Sequence, residues 1–250
     1  MNRNYRKHSL ATVVAALTLS ASAHGALITT TTNDAGGADA AVRATTPAVT
    51  EGNAATPVSF DAAGSPSAAG IGAIALRFNT GPTGEKAGAS VSFVYRRNNS
   101  AGFTLYGVAD SAAGAGWDET TLTADTAVAN GWLTNSGTAF TPTASLVNLG
   151  TIGLTGTSAN TVRTYPGGAD AAPNAALDGF LSADTDGRVT FLLVPSSARS
   201  PFVYTREAAG TALVAPTLSF NANTDATPEP AALTGLLVAA AGLSRRRVRH

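Results

Sequence analysis

The amino-acid sequence predicts an all-β protein, a jelly-roll-like antiparallel β-sandwich with one short helix. Val, Phe, Tyr and Leu recur in short alternating stretches rather than at helical spacing. Those stretches are separated by Gly, Asn, Asp, Ser and Thr, in a chain of 250 residues with 26 Gly and 12 Pro, which is turn chemistry. There is no cysteine, so core packing rather than a disulfide framework must hold the fold.

The first strands fall at Ala38–Ala44, Pro57–Phe60, Gly72–Phe78, Ser90–Arg96 and Gly102–Ala109. In Ala75-Leu76-Arg77-Phe78 and Val91-Ser92-Phe93-Val94-Tyr95 the side chains alternate, which sends one face to a core and the other to water. A long irregular stretch follows. Further strands are expected at Leu146–Leu149, Thr161–Tyr165, Arg188–Val194, Phe202–Thr205 and Thr217–Phe220. The helix is expected over Asn174–Leu181, where Asn174 caps the start and Leu177, Phe180 and Leu181 share a face. Asp184-Thr185-Asp186-Gly187 comes next. Two aspartates before a glycine suggest a calcium loop, but the register is not that of an EF-hand and the bidentate Glu is missing, so a tight turn into the next strand is the stronger reading.

The ends read as addresses. Residues 1–26 combine a basic start (Arg3, Arg6, Lys7), an apolar run from Leu10 to Leu19 and the small residues Ala21-Ser22-Ala23, the layout of a signal peptide that signal peptidase removes on export. At the other end come Pro228-Glu229-Pro230, an uncharged stretch from Ala231 to Leu243, and Arg245-Arg246-Arg247-Val248-Arg249. Thirteen apolar or small residues make a helix of roughly 20 Å, short of the roughly 30 Å hydrocarbon core, with arginines that stay on the cytoplasmic side. Tripeptide, apolar segment and Arg block in that order resemble the PEP-CTERM sorting signal. That resemblance, over residues 226–250, implies an exosortase-type sorting enzyme as partner and a transient hydrophobic membrane helix.

Losing both ends removes seven cations and one acid, leaving a domain over residues 27–225 with a net charge of about −6. Such a surface argues against nucleic acid as a partner. The histidines, His8, His24 and His250, all lie in or beside the removable segments. Enzymes that need an imidazole base or a His-ligated metal are thereby excluded, and no catalytic residue is assigned.

Landmarks along the domain follow a family order: Ala38-Asp39-Ala40-Ala41-Val42-Arg43, Leu76-Arg77-Phe78-Asn79, Leu105-Tyr106-Gly107-Val108-Ala109-Asp110, then Trp117-Asp118-Glu119-Thr120-Thr121-Leu122-Thr123. Near the end come Val189–Val194, Phe202-Val203-Tyr204-Thr205-Arg206-Glu207 and Ala215-Pro216-Thr217-Leu218-Ser219-Phe220. The order resembles the DNRLRE-type carbohydrate-binding modules, β-sandwiches of which some members bind alginate. That resemblance implies a non-catalytic exported protein at the cell surface or in the extracellular matrix, with an extracellular polysaccharide as ligand.

Within that expectation Trp132, in the loop Asn130-Gly131-Trp132, is the better candidate for stacking on a sugar ring. Trp117 is a second stacking candidate, with packing in the core at the sandwich edge as the favoured reading. Arg96 belongs to the domain's basic concentration with Arg97 and Lys86, and Arg206-Glu207 is either a ligand clamp or a pair that closes the sandwich. No cofactor is called for. For a structural calcium, Asp39, Asp110, Asp118 and Glu119 are the candidate oxygen ligands. Two other functions compete: a purely structural, glycosylated matrix protein, and a polysaccharide lyase using Tyr and Arg, for example Tyr95 and Tyr204.

Overall fold

The computed structural model describes residues 25–44, 46–50, 59–61, 72–81, 83–95, 102–137, 140–153, 160–167, 174–196, 202–206 and 215–222. The expected signal peptide up to residue 24, the sorting segment with Pro228, Glu229, Pro230, Arg245, Arg246 and Arg247, and the residues Arg96 and Glu207 lie outside them.

The described chain forms antiparallel sheets. In chain order the elements are β1 (Ala26–Thr31), β2 (Ala38–Arg43), β3 (Ser59–Asp61), β4 (Gly72–Asn79), β5 (Lys86–Tyr95) and β6 (Gly102–Val108). Then come α1 (Ala124–Ala129), β7 (Leu133–Asn135), β8 (Phe140–Pro142), β9 (Leu146–Gly153) and β10 (Thr161–Tyr165). The last are α2 (Ala175–Ser182), β11 (Arg188–Pro195), β12 (Phe202–Tyr204) and β13 (Thr217–Ala222). One sheet runs β1-β13-β5-β12-β3, with β10 also paired to β5, and the second runs β2-β4-β11-β6-β9.

Between the sheets lies the main core. Ile74, Leu76 and Phe78 of β4, Phe103 and Leu105 of β6, and Val189, Phe191 and Leu193 of β11 meet Val91, Phe93 and Tyr95 of β5 and Leu218 and Phe220 of β13. The period of two in each strand selects these positions. Aromatic rings interlock across the gap, Phe93 meeting Phe103 edge-on at 5.9 Å.

The other face of the second sheet is buried as well. Between β6 and β9, residues 109–145 carry α1 and the β7–β8 hairpin, and this segment covers Ala38, Ala40 and Val42 of β2, Ala73 and Ala75 of β4, and Leu192 and Val194 of β11. Alanines on the sheet's outer face leave room for the large side chains of the cover, Trp117, Trp132, Leu133 and Phe140. The molecule therefore has a third layer beyond the two sheets, and β4 is buried on both faces from Gly72 to Phe78.

Among the described residues of the domain two helices are present rather than the expected one. The expected helix is α2, capped by Asn174, whose side chain accepts from the amides of Ala176 and Leu177. The unforeseen α1 has six residues, too few to show a hydrophobic period, and is held by a capping box between Thr123 and Thr126. It stands where the sequence suggests only an irregular stretch.

That third layer overturns the reading of Trp132. Its indole is fully buried and its Nε1 donates to the Ala113 carbonyl at 2.9 Å, so it has no face to offer a sugar. Trp117, 6% exposed, donates from Nε1 to Thr190 Oγ1 at 2.9 Å, so it packs in the core as the favoured reading has it and is not available as a stacking platform. These are the chain's two tryptophans. Trp132→Ala should therefore lower unfolding free energy by about 3–5 kcal/mol, read from urea denaturation. A loss below about 1 kcal/mol would contradict burial in a packed layer.

Candidate functional site

At one end of the sandwich α2 plugs the opening between the sheets. Leu177 and Leu181 point into the core, while Ala175, Ala176, Gly179 and Ala183 remain on the opposite side. The chain stays close to the strands here because Gly107 of β6 carries no side chain: a Cβ at that position would strike the Phe180 ring. Phe180 also packs on Phe191 at 5.6 Å between ring centroids. The result is a groove of about 370 Å³ between α2 and the strand ends, with Phe180, Val147 and Val189 in its lining and Asp110 and Asp184 at its polar end.

Four side-chain contacts dock α2 on the edge of β5. Asp178 accepts the amides of Gly88 at 3.1 Å and Ala89 at 2.8 Å, and the Ser182 hydroxyl accepts from the Lys86 amide at 2.9 Å while donating to the Lys86 carbonyl at 3.1 Å. These bonds satisfy backbone groups that the strand would otherwise leave open.

The helix ends at a buried carboxylate. Asp184 Oδ1 accepts the amides of Asp186, Gly187 and Arg188 at 3.2, 2.9 and 3.2 Å. Its Oδ2 takes the Thr80 hydroxyl and the Lys86 ammonium, the latter at 3.3 Å. Both charged side chains are essentially inaccessible, at 1% and 0% exposure. Lys86 Nζ also donates to the Leu181 carbonyl at 3.1 Å and lies 6.0 Å from the centre of the Phe220 ring. Gly187, at φ +78°, permits the turn that aims three amides at one oxygen.

Asp110, Asp184 and Asp186 have carboxylate oxygens within 4.8 Å of one another. Asp110 Oδ2 accepts the Thr185 amide and hydroxyl at 2.6 and 2.7 Å, and Asp186 Oδ1 accepts the Arg188 amide at 2.8 Å. Since Asp184 already faces three amide donors, a hydroxyl and an ammonium, the cluster is an ion-paired junction rather than a cation cage. The sequence reading of Asp184–Gly187 as a turn is what the geometry shows.

The remaining candidates gather around Trp117. Arg77 donates from Nε to the Gly36 carbonyl at 2.8 Å and from Nη1 to the Trp117 carbonyl, with its guanidinium 5.1 Å from the Trp117 ring centre. Burial, followed by the charge of Arg188, holds the Arg77 pKa below its ordinary value. Arg206 pairs with Glu119, and its amide donates to Asp39 Oδ2 at 2.8 Å. Asp39 is fully buried and also accepts the Thr32 hydroxyl at 3.0 Å.

Thus Arg206 meets Glu119 from the cover segment, closing the third layer onto the sandwich. Asp118 is exposed, and the hydroxyl and amide of Thr120 hold its carboxyl below the usual range. The four expected calcium ligands do not form one group: Asp39 and Glu119 serve Arg206, Asp118 closes a local turn, and Asp110 stands in the junction beside α2. Tyr95, expected as a lyase residue, is fully buried between the sheets, which removes it from any substrate. Tyr204 is half-buried and donates to Asn160 Oδ1 at 3.0 Å.

Sequence reasoning named Asp110 but missed the groove beside it. The available signal was the run of small residues Ala175, Ala176, Gly179 and Ala183 on the α2 face opposite Leu177 and Leu181. Among the described residues, no helix is long and apolar enough to cross a membrane. Comparison with known families finds none whose pattern this chain matches, and comparison with characterised proteins finds no relative.

Because Asp184 and Lys86 share an inaccessible site, Lys86→Met should leave a buried carboxylate without its counter-charge and cost about 3–5 kcal/mol. In urea the midpoint should fall with little change in slope. An unchanged midpoint would contradict the junction's role.

Proposed function

We propose that the protein is a non-catalytic, exported surface or extracellular-matrix protein that binds a polysaccharide in the groove beside α2. On this reading the sandwich is of jelly-roll type and akin to the DNRLRE-type carbohydrate-binding modules. Signal peptidase removes the signal peptide by cutting after Ala23 or within the next three residues, and an exosortase-type enzyme sorts the chain through its PEP-CTERM-like segment, which holds it transiently in the membrane.

The observation that carries the binding reading is the groove's composition. A half-buried Phe180 ring and the Val147 side chain supply apolar surface for a pyranose face, while Asp110 beside them accepts from sugar hydroxyls. Ala and Gly on α2 let a ring approach the helix backbone. Carboxylates at the polar end, in a domain of about −6 net charge, repel polyuronates and favour a neutral glycan. The groove replaces Trp132 as the binding surface.

A second reading, a matrix protein with no glycan ligand, is favoured by the burial of both indoles, which takes away the strongest stacking platforms.

Affinity electrophoresis of the full chain through neutral glucans, polyuronates and sulfated polymers separates the two. The binding reading expects saturable retardation by a neutral polymer. Ala176→Trp, at an exposed position that fills the groove, should weaken it at least about tenfold, equivalent to about 1.4 kcal/mol. Retardation by no polymer, or retardation unchanged in the Trp variant, would overturn it.

A further inference from the structure

The outer edge of β1 presents an array of backbone groups whose direction can be read from its neighbours. At the end of the strand, the Thr31 amide donates to Asp34 Oδ2 at 2.6 Å and the Thr31 carbonyl accepts the Asp34 amide at 3.1 Å, so both groups of Thr31 point away from β13. The next residue faces the other way: the Thr32 amide donates to the Pro216 carbonyl at 3.1 Å. In an extended strand this direction alternates residue by residue. The amide and carbonyl of Leu27 and of Thr29 therefore point outward. The register agrees, because Thr29 lies opposite Ser219 with hydroxyls 3.2 Å apart, the close side-chain approach of a pair that exchanges no backbone bonds.

Among the described residues, β1 is the last strand of its sheet and pairs with β13 alone. From Ala26 to Thr32 it carries no charge and no proline, and Leu27 is 70% exposed. Charge, proline and covering side chains are the devices that keep sheet edges from pairing. This molecule uses the last of them elsewhere: Asp178 and Ser182 cover β5, and Arg163 Nε donates to the Gly153 carbonyl at the end of β9 at 3.2 Å. On β1, among the described residues, only Thr31 is covered.

We propose that the β1 edge pairs with the same edge of a second copy of this chain, antiparallel about a two-fold axis through Ile28. In that register Leu27 faces Thr29 of the other copy and Thr29 faces its Leu27. The outward groups of the two copies then form four backbone hydrogen bonds. A second copy is the occupant that fits because the array is self-complementary under a two-fold and no side chain from Ala26 to Thr32 is charged, so no like-charged side chains meet although the domain as a whole is acidic. Each exposed Leu27 gains apolar cover from the partner strand. With few bonds and a small contact area the free dimer is weak, with a Kd of about 100 μM, and confinement at a surface raises its population. The inference deepens the surface-protein reading by giving each assembly two grooves for one polymer.

Sedimentation equilibrium of the full chain in mild detergent, from about 10 to 500 μM, tests it without any glycan, so the outcome is independent of the binding assay. The wild type should pass from monomer to dimer and no further. Thr29→Pro removes an outward amide that β13 does not use, and Leu27→Lys places a charge at an exposed position. Each should weaken the dimer at least about tenfold while leaving the melting temperature within about 2 °C of wild type. A wild type that stays monomeric across the range would overturn the proposal, as would a dimer that survives Leu27→Lys unchanged.

Discussion

Asp184 sits where four parts of the chain meet, and its carboxylate is taken out of water only because every neighbour answers it. Three amides at the start of β11 bind one oxygen, while Thr80 from the β4–β5 connection and Lys86 from β5 bind the other. Lys86 in turn reaches the last turn of α2 through the Leu181 carbonyl. A buried ion pair of this kind adds little net stability relative to an apolar substitute, because desolvation offsets the attraction. What it supplies is position. The helix end, the strand start and the β5 edge have one arrangement in which both charges are satisfied, and the groove beside α2 takes its shape from that arrangement.

Position matters equally on the far side of the second sheet. There the cover segment brings two tryptophans onto a floor of alanines, and Arg77 and Arg206 tie its loops back to β2 and to the turn before it. The same residues that a sugar-binding surface would expose are consumed in building this layer. Both tryptophans, the side chains that composition alone would offer for stacking, are therefore inside this layer rather than on the surface.

The sequence made the strands legible because most alternate over five or more residues and end at turn chemistry. Of the ten expected strands β10 has both ends correct, and β2, β4, β6, β11 and β12 start at the expected residue and end within one residue of the expected one. The helix α2 was legible through Asn174 and its apolar face. What could not be read was the partner of each indole. Asn130-Gly131-Trp132 has loop composition, and only the alanines of β2 and β4, distant in sequence, explain why that loop folds inward. β1 escaped because Ala26–Thr31 adjoins the expected cleavage region, and β7 and β8 because three residues show no period. Arg206 offered a salt bridge from its local sequence, but its observed partner, Glu119, is 87 positions away.

On the proposed reading, ligand contact falls at the groove beside α2. The buried Trp and Tyr95 side chains leave the inner cores fully engaged, whereas α2 turns small residues outward beside a partly accessible Phe180 and an acidic junction. The most direct test is a backbone-amide NMR titration of the chain with a neutral oligosaccharide that retards it. The account predicts saturable shifts concentrated at Asp110, Val147, Ala175, Ala176 and Gly179, with the amides of Trp117 and Trp132 unmoved. Shifts centred on the cover segment, with those groove amides unchanged, would contradict it.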